Sequence, residues 1–374
     1  MEKTETGRDG ADGDRRAVGV GSGQVMTVLG AVPVADLGLT LMHEHVFIDA
    51  AQWWREPLEA TRKHLAHQQI RIDILGELRL DPFVNRDNCR LLDPDAAVEE
   101  LSQFRALGGQ TVVDPTNVGI GRDPLALQQV SRRTGLQIVM GCGYYLEGSH
   151  PPAVRALSVA DVADEIVRDV TDGVPGTNVR AGIIGEIGVG ATFTPDEQKV
   201  LRGAARAASR TRVPLTIHLP GWERLGHHVL DVVEEESADL AHTVLDHMNP
   251  SLHDLDYQTS LADRGAFLEY DMIGMDYFYA DQQAQSPSDE ENAAALKRLI
   301  DAGYGDRLLL SQDVFLKMML TRHGGWGYAY ILRHFVPRLR RHGVSDDQIN
   351  FLLFDNPRRV FSASRDIAHP AASG

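Results

Sequence analysis

The sequence predicts a single-domain α/β protein with the fold of a (β/α)₈ TIM barrel. From residue 26 onward, eight short apolar runs alternate with longer amphipathic runs, the order expected of parallel strands and covering helices. The 374 residues are enough for such a barrel, which typically takes about 250 residues as one unit. The rival fold, an open doubly wound sheet, should carry a Gly-rich dinucleotide turn after its first strand, and this chain has none there.

The eight apolar runs are short, as expected of strands that are buried on both faces of a parallel sheet. Several of them end in a histidine or an acidic residue. We predict strands at residues 39–47, 111–114, 137–141, 181–187, 215–218, 243–247, 267–270 and 307–311.

The amphipathic runs between these strands have the spacing and the start signals of helices. Asp123 precedes Pro124, and Thr194 precedes a proline and an acidic first turn, so both starts have a capping residue before a proline. We predict helices at residues 95–107, 124–134, 159–172, 195–210, 223–236, 290–301 and 329–342.

The remaining segments flank or interrupt the predicted barrel, which we place at residues 26–362. Residues 1–25 are rich in glycine and charge and are predicted to be a disordered tail, with Met26 as an alternative start; residues 363–374 are predicted to be a second disordered tail. Residues 52–92 form an insertion after the first strand, predicted to be helical and to cover the barrel mouth. Residues 346–361 are predicted to be a closing helix pair, broken at Asn356-Pro357.

Composition favours a small-molecule partner. The formal charge is −16, from 53 acidic and 37 basic residues, and such a surface repels nucleic acid and anionic lipid. No apolar stretch of about 18 residues is present, so no membrane span is predicted. Two cysteines, Cys89 and Cys142, are too few for a disulfide framework, which indicates a reducing, cytoplasmic location.

The most informative motif is His43-Glu44-His45, near the end of the first predicted strand. Side chains alternate along a strand, so the two histidines face one point while Glu44 faces the other way. Two converging imidazoles form a good site for Zn²⁺ or a similar divalent ion. Alone, the triplet also fits a polar strand edge.

Later strands supply further ligand types at the end of the barrel where function usually lies. Singly, Glu186 also fits a charge at a strand exit, and His218 or His247 also fits a helix cap. Jointly they predict a two-metal site, because an unpaired buried charge costs several kcal/mol and a cation supplies its partner. The candidate ligands are His43, His45, Glu186, His218, His247 and Asp313.

Several segments together resemble the phosphotriesterase family of the amidohydrolase superfamily, over residues 26–361. They are LGLTLMHEHVFID, DPTNVGIGRD, GIIGEIG, TIHLPG, DHMN, LLLSQD and DNPRRVF. The runs GCGYYLEGSH and HGGWGYAYIL are most similar to the branch of phosphotriesterase-related proteins.

The resemblance assigns the ligands to two divalent metal ions per chain. It implies that His43, His45 and Asp313 hold the more buried ion and that His218 and His247 hold the more exposed one. Zn²⁺ is the first choice, with Mn²⁺ or Co²⁺ as alternatives, and the resemblance also allows a homodimer.

Glu186 stands where many members of the family have a carboxylated lysine. The resemblance implies that it bridges the two ions, as in another branch of the family. A single-metal deaminase of the same superfamily would not need this bridge, which makes Glu186 the discriminating residue.

The implied activity is hydrolysis by a metal-bridging hydroxide, with Asp313 accepting and returning a proton. The branch resemblance favours N-acyl amides, with lactones, carboxylic esters or phosphotriesters as alternatives, and a non-catalytic ligand-binding barrel as the alternative of another class. His247 is followed by Met248-Asn249-Pro250, and the seventh strand by Asp271-Met272, so the proton relay of organophosphate-degrading relatives is missing.

Two tyrosines at the end of the third strand, Tyr144 and Tyr145, are candidates for substrate contact. Aromatic residues at a barrel mouth equally often pack against their neighbours, so both interpretations stand.

Overall fold

A computed structural model describes residues 23–280 and 282–362 of the chain. The predicted tails lie outside the described residues, apart from residues 23–25. Those three residues are ordered: Gln24–Thr27 pairs antiparallel with Gly30–Pro33, and Val25 is buried. This pairing therefore includes residues that the sequence-based prediction placed in the tail.

Eight parallel strands of the described chain form the barrel, as predicted. Three strands make one hydrogen-bonded arc and five make the other. In chain order they are β1 (Thr40–Leu41), β2 (Thr111–Asp114), β3 (Gln137–Met140), β4 (Ile184–Gly188), β5 (Leu215–His218), β6 (Thr243–Leu245), β7 (Phe267–Tyr270) and β8 (Leu308–Leu310).

Backbone hydrogen bonds join the two arcs on both sides and so close the barrel. Between β3 and β4, the Gly182 N–H donates to the Met140 carbonyl at 2.9 Å. Between β8 and β1, the Asp313 N–H donates to the His43 carbonyl at 3.2 Å. The second of these bonds directly joins two of the predicted metal ligands.

Helices follow the strands in sequence and cover the barrel. Thr194 caps the longest helix with a capping box, and the Asp123 side chain accepts from the Ala126 N–H, as their positions predicted. The helix at Leu255–Asp263 is absent from the sequence-based prediction. The helices are Leu75–Leu80, Pro94–Ala106, Pro124–Thr134, Val159–Thr171, Pro195–Thr211, Gly226–Glu235, Leu255–Asp263, Asp289–Asp301, Val336–Arg341, Asp346–Asn350 and Asn356–Phe361.

The first strand is much shorter than predicted. Its ladder ends at Leu41. Beyond it, the His43 N–H donates to Ser311 Oγ and the Val46 N–H to Asp114 Oδ2, and the Glu44 N–H between them reaches the Val113 carbonyl of β2, all at 3.0 Å. The two histidines of the motif therefore lie on the irregular exit of the strand. The exit is nevertheless fully buried.

The insertion at 52–92 is helical only in part. It contains the helix Leu75–Leu80 and three short 3₁₀ turns, and Ile48–Asp49 pairs antiparallel with Arg90–Leu91 across its base. The prediction of a mainly helical insertion is wrong, since turns and extended backbone dominate. Its residues Trp53 and Phe83 reach the barrel mouth, in agreement with the predicted position.

The predicted break at Asn356-Pro357 is also wrong. Asp346–Asn350, a π-turn at Phe351–Asp355 and Asn356–Phe361 form one continuous helical run. Pro357 lies in the first turn of the last segment, and the wide turn before it accommodates the missing N–H.

Inside the barrel, apolar side chains from different strands form a separate core cluster that includes Val113, Val139, Val244, Phe267 and Leu309. This packed interior supports the strand ends from below. Within the described ranges, no helix has the length and apolar character needed to cross a bilayer.

Candidate metal centre

All six predicted ligands converge at the carboxyl-terminal ends of the strands. Five of them are at most 8% exposed, and His218 is partly buried. Such burial of imidazoles and carboxylates in one place requires compensating partners.

One set of ligands is His43, His45 and Asp313, whose ligand atoms all lie within 4.8 Å of one another. Asp313 Oδ1 is 3.3 Å from His45 Nε2 and 3.9 Å from His43 Nε2. Both His43 Nε2 and Asp313 Oδ1 are buried without a hydrogen-bond partner. Orphaned donor atoms of this type, aimed at one point, fit a bound divalent ion.

The second set is His218 and His247, on the exits of β5 and β6. His218 Nδ1 and His247 Nε2 are 2.7 Å apart, and they lie 3.3 and 3.6 Å from Glu186 Oε2. Two imidazole nitrogens and a carboxylate oxygen thus converge on one point. This donor set also suits a borderline divalent cation.

Glu186 lies between the two sets. Its Oε1 is 3.3 Å from His45 Nε2, whereas its Oε2 lies 3.3 Å from His218 Nδ1 and 3.6 Å from both His247 Nε2 and His43 Nε2. Burial alone would raise the pKa of Glu186, but contact with the histidines outweighs it and holds the pKa well below its ordinary value. The carboxylate is therefore ionised and contacts both sets.

Two of the ligands have left-handed backbone conformations. The φ angle is +59° at His247 and +48° at Asp313. Non-glycine residues seldom adopt such angles, and those that do cluster at functional sites. These positions fit a centre whose geometry is imposed by the surrounding fold.

Polar neighbours fix the orientation of the imidazoles. His247 Nδ1 lies 2.9 Å from Asp271 Oδ1, and His45 Nδ1 lies 2.6 Å from Thr116 Oγ1. Burial alone would lower the pKa of His247, but Asp271 outweighs it and the pKa is raised. Each contact leaves the opposite ring nitrogen facing the centre, as in metal sites where an outer partner sets the tautomer.

A group of buried acids lies behind His43, and sequence reasoning missed it. His43 Nδ1 is 3.6 Å from Asp246 Oδ2 and 3.5 Å from Asp271 Oδ2. Glu269 lies beside them; burial, then the charges of Asp246 and Asp271, raise its pKa well above the ordinary value. The available signal was an acidic residue inside otherwise apolar strand runs, VLDH and FLEYD.

Glu44 faces away from the centre, as alternation predicts, and connects the first and last strands. Its Oε1 accepts from Ser311 Oγ, the Gln312 N–H and Gln312 Nε2 at 2.8, 2.9 and 2.7 Å. Its Oε2 accepts from the Val314 N–H at 2.9 Å. This carboxylate ties the exit of β1 to the loop that carries Asp313.

The two candidate tyrosines lie in different places, and only one of them lines the pocket above the centre. The Tyr145 hydroxyl lies 3.1 Å from His218 Nδ1, and Tyr145 lines the pocket above the centre. Tyr144 does not line this pocket; its hydroxyl bonds to Glu165 on the helix Val159–Thr171. Only Tyr145 is within reach of a substrate at the centre.

The pocket over the centre opens at the barrel mouth, and its empty space is about 710 Å³ when the open solvent at the mouth is included. The ligand side chains lie at its floor. Its sides carry five aromatic residues, here called the aromatic wall: Trp53, Phe83, Trp222, Tyr279 and Phe315. Sequence reasoning did not identify these residues, because they come from separate loops.

Comparison with known proteins agrees with this geometry. The phosphotriesterase family matches residues 23–361. An N-acetyltaurine hydrolase from Tetraodon nigroviridis is 36% identical over 90% of this chain and 97% of its own length.

Solved structures of similar proteins include a resiniferatoxin-binding protein from Rhodobacter sphaeroides, which is 58% identical with a TM-score of 0.91 over 93% of this chain and 97% of that one. A lactonase from Listeria monocytogenes is 25% identical with a TM-score of 0.75, over 91% of this chain and all of that one. Together with the barrel and the converging ligands, these matches show that the chain belongs to the phosphotriesterase family.

Proposed function

We propose that this protein is a two-metal hydrolase that cleaves the carbonyl–nitrogen bond of an N-acyl amide. The observation that carries the proposal is the position of Glu186, whose carboxylate lies 3.3 Å from a histidine of each ligand set. A single-metal site would need only one of these sets.

One ion would be held by His43, His45 and Asp313, and the other by His218 and His247. Glu186 would be a ligand of both ions. Nitrogen and carboxylate donors favour Zn²⁺, with Mn²⁺ and Co²⁺ as alternatives. Bound there, two divalent ions would lower the pKa of a water molecule and polarise the scissile carbonyl.

The side chains perform the remaining steps of the proposed reaction. Asp313 Oδ1 faces the two histidines, which leaves Oδ2 to take the proton of the attacking water and return it to the leaving nitrogen. The Tyr145 hydroxyl, beside His218, can donate a hydrogen bond to the substrate. Burial raises the pKa of Tyr145 well above its ordinary value, so it remains protonated and able to donate.

The N-acyl amide assignment is supported by the N-acetyltaurine hydrolase at 36% identity. Lactones and carboxylic esters are the second candidate, supported by the lactonase neighbour and by the apolar sides of the pocket. Phosphotriesters are less favoured, because Asp271 is engaged by His247 and Met248-Asn249-Pro250 offers no proton relay.

The test is metal analysis followed by a hydrolysis screen of the zinc- or manganese-loaded protein. About two metal equivalents per chain, and turnover of N-acetyl amines above lactones, aryl esters and triesters, are expected. A protein purified with no metal and no turnover would instead be a ligand-binding barrel. A Glu186→Ala protein that keeps both ions would rule out the bridging role.

We also propose a cytoplasmic location, supported by two cysteines that are both buried and free. A homodimer is the proposed assembly, which sedimentation analysis would test.

A further inference from the structure

We infer that the pocket selects an uncharged substrate with a bulky apolar, aromatic leaving group. This inference rests on the proposed function, because it specifies the amide that the same centre cleaves. It differs from a simple transfer of the relative's substrate, since taurine carries a sulfonate.

The aromatic wall is a connected set of rings. Trp53 stacks on Phe83 with centroids 5.7 Å apart, Phe83 lies 5.9 Å from Tyr279, and Tyr279 lies 5.4 Å from Trp222. The wall is therefore continuous from the insertion at 52–92 to the loop after β5. Aromatic surfaces of this kind bind apolar and aromatic groups.

The pocket is open at the barrel mouth, so a group larger than acetyl can extend from the centre along the aromatic wall. An acetyl group with a small amine would leave most of the aromatic wall in contact with water.

The charges of the pocket argue against an anionic substituent. Across the described part of the chain, no lysine or arginine lines it, and its carboxylates Glu186 and Asp313 lie at the floor. Arg55, close in sequence, is engaged with the backbone carbonyls of Gln52 and Trp54 at 2.6 and 2.9 Å. An anion against this wall would lose hydration without gaining a cationic partner.

Gln52 provides the polar contact. It lines the pocket, and both its Nε2 and its Oε1 are buried without a hydrogen-bond partner. A buried amide whose donor and acceptor are both unpaired costs desolvation free energy, which a ligand recovers by hydrogen bonding to it. Gln52 is therefore a specificity-determining residue that recognises a neutral polar group, such as an amide or hydroxyl, on the apolar leaving group.

The experiment compares substrates of the same shape and different charge. Acetate release is measured with N-acetylbenzylamine, 4-(acetamidomethyl)benzamide, 4-(acetamidomethyl)benzoate and N-acetyltaurine on the metal-loaded protein. We expect kcat/KM for the benzamide to exceed that for the benzoate at least about 100-fold, because the carboxylate is desolvated without a partner.

Variants of Gln52 test the residue itself. Gln52→Leu should lower kcat/KM for the benzamide more than for N-acetylbenzylamine, which lacks the polar group. Gln52→Arg should raise kcat/KM for the benzoate at least about tenfold by supplying a cation. Gln129→Arg, at an exposed helix position, adds the same charge outside the pocket and should change neither value.

Binding is measured separately from catalysis with the matching ketones, 4-(3-oxobutyl)benzamide and 4-(3-oxobutyl)benzoate, by calorimetry. If amides are not cleaved but the neutral ketone binds at least about tenfold more tightly, the inference holds and the proposed function fails. If amides are cleaved but the benzoate or N-acetyltaurine is preferred, the inference is overturned and the proposed function stands.

Discussion

Replacing Asp271 by asparagine should weaken metal binding without removing any metal ligand. Asp271 Oδ1 accepts from His247 Nδ1 at 2.9 Å, and Oδ2 accepts from the His247 backbone N–H at 3.0 Å. An asparagine has one oxygen, so in either orientation its NH₂ group faces a His247 N–H. With the amide oxygen at the Oδ1 position the ring contact persists but the charge that supports it is lost, and in the reverse orientation the ring loses the acceptor that fixes its tautomer.

The expected loss of metal affinity follows from these two contacts. Loss of an outer partner of a ligating histidine typically costs about 10- to 100-fold in metal affinity, which is about 1.4 to 2.7 kcal/mol. The ion held by His218 and His247 should be affected more, because Asp271 lies 2.9 Å from the His247 ring but 3.5 Å from His43 Nδ1, and the His45 ring is oriented by Thr116 instead.

The assay is competition for Zn²⁺ with a chromophoric chelator at fixed pH, with the fold checked by circular dichroism. The control is Asp256→Asn, which makes the same change at an exposed helix position. Two unchanged affinities in a folded Asp271→Asn protein would refute the orienting role of Asp271, and an equal or larger loss at the ion held by His43 and His45 would refute its stronger action on His247.

Three further predictions concern the centre and its support. Asp313→Asn should keep much of its metal but lose turnover by about 10²- to 10⁴-fold, and near wild-type kcat would rule out its proton-transfer role. Apo-protein should regain activity with divalent metal at a rate that does not depend on bicarbonate, and a marked bicarbonate dependence would contradict a glutamate bridge. Glu186→Gln should regain little activity, because a neutral amide removes a charge from between two cations. Glu44→Gln should lower the free energy of unfolding by about 1–3 kcal/mol, because the NH₂ group of the new glutamine cannot accept from the Val314 N–H. Urea denaturation measures this loss, and the control Glu99→Gln, at an exposed position on a covering helix, should show no comparable loss.

The barrel itself was predictable, because its eight strands and most of its helices have local sequence patterns; the helix Leu255–Asp263 was not predicted. Buried strands such as Thr111–Asp114 read as continuous apolar runs, and caps such as Thr194 mark the helix starts. The end of a strand was not predictable where it depends on backbone N–H groups that donate to side chains. The early end of β1 depends on Ser311, which is remote in sequence and meets His43 only in the folded chain.

The ligands at the centre were recognisable for the same reason as the strands: each one ends an apolar run. The buried acids Asp246 and Glu269 carried a weaker form of that signal, a charge within a strand. No sequence signal marked Gln52 or Trp222, because the loops that meet over a barrel mouth share no periodic pattern from which their contacts could be predicted.

The contacts of Glu44 have a consequence for how the protein acquires its metal. Glu44 bonds to Gln312, which is 268 residues later in the chain, and His43 and Asp313 are similarly remote. Closing so long a loop delays such contacts during folding. A nascent chain that has not yet extended past β8 therefore has two of the three ligands of one set, His43 and His45 without Asp313, and cannot retain that ion tightly. Metal retention thus reports that synthesis has reached the last strand and that the barrel has closed.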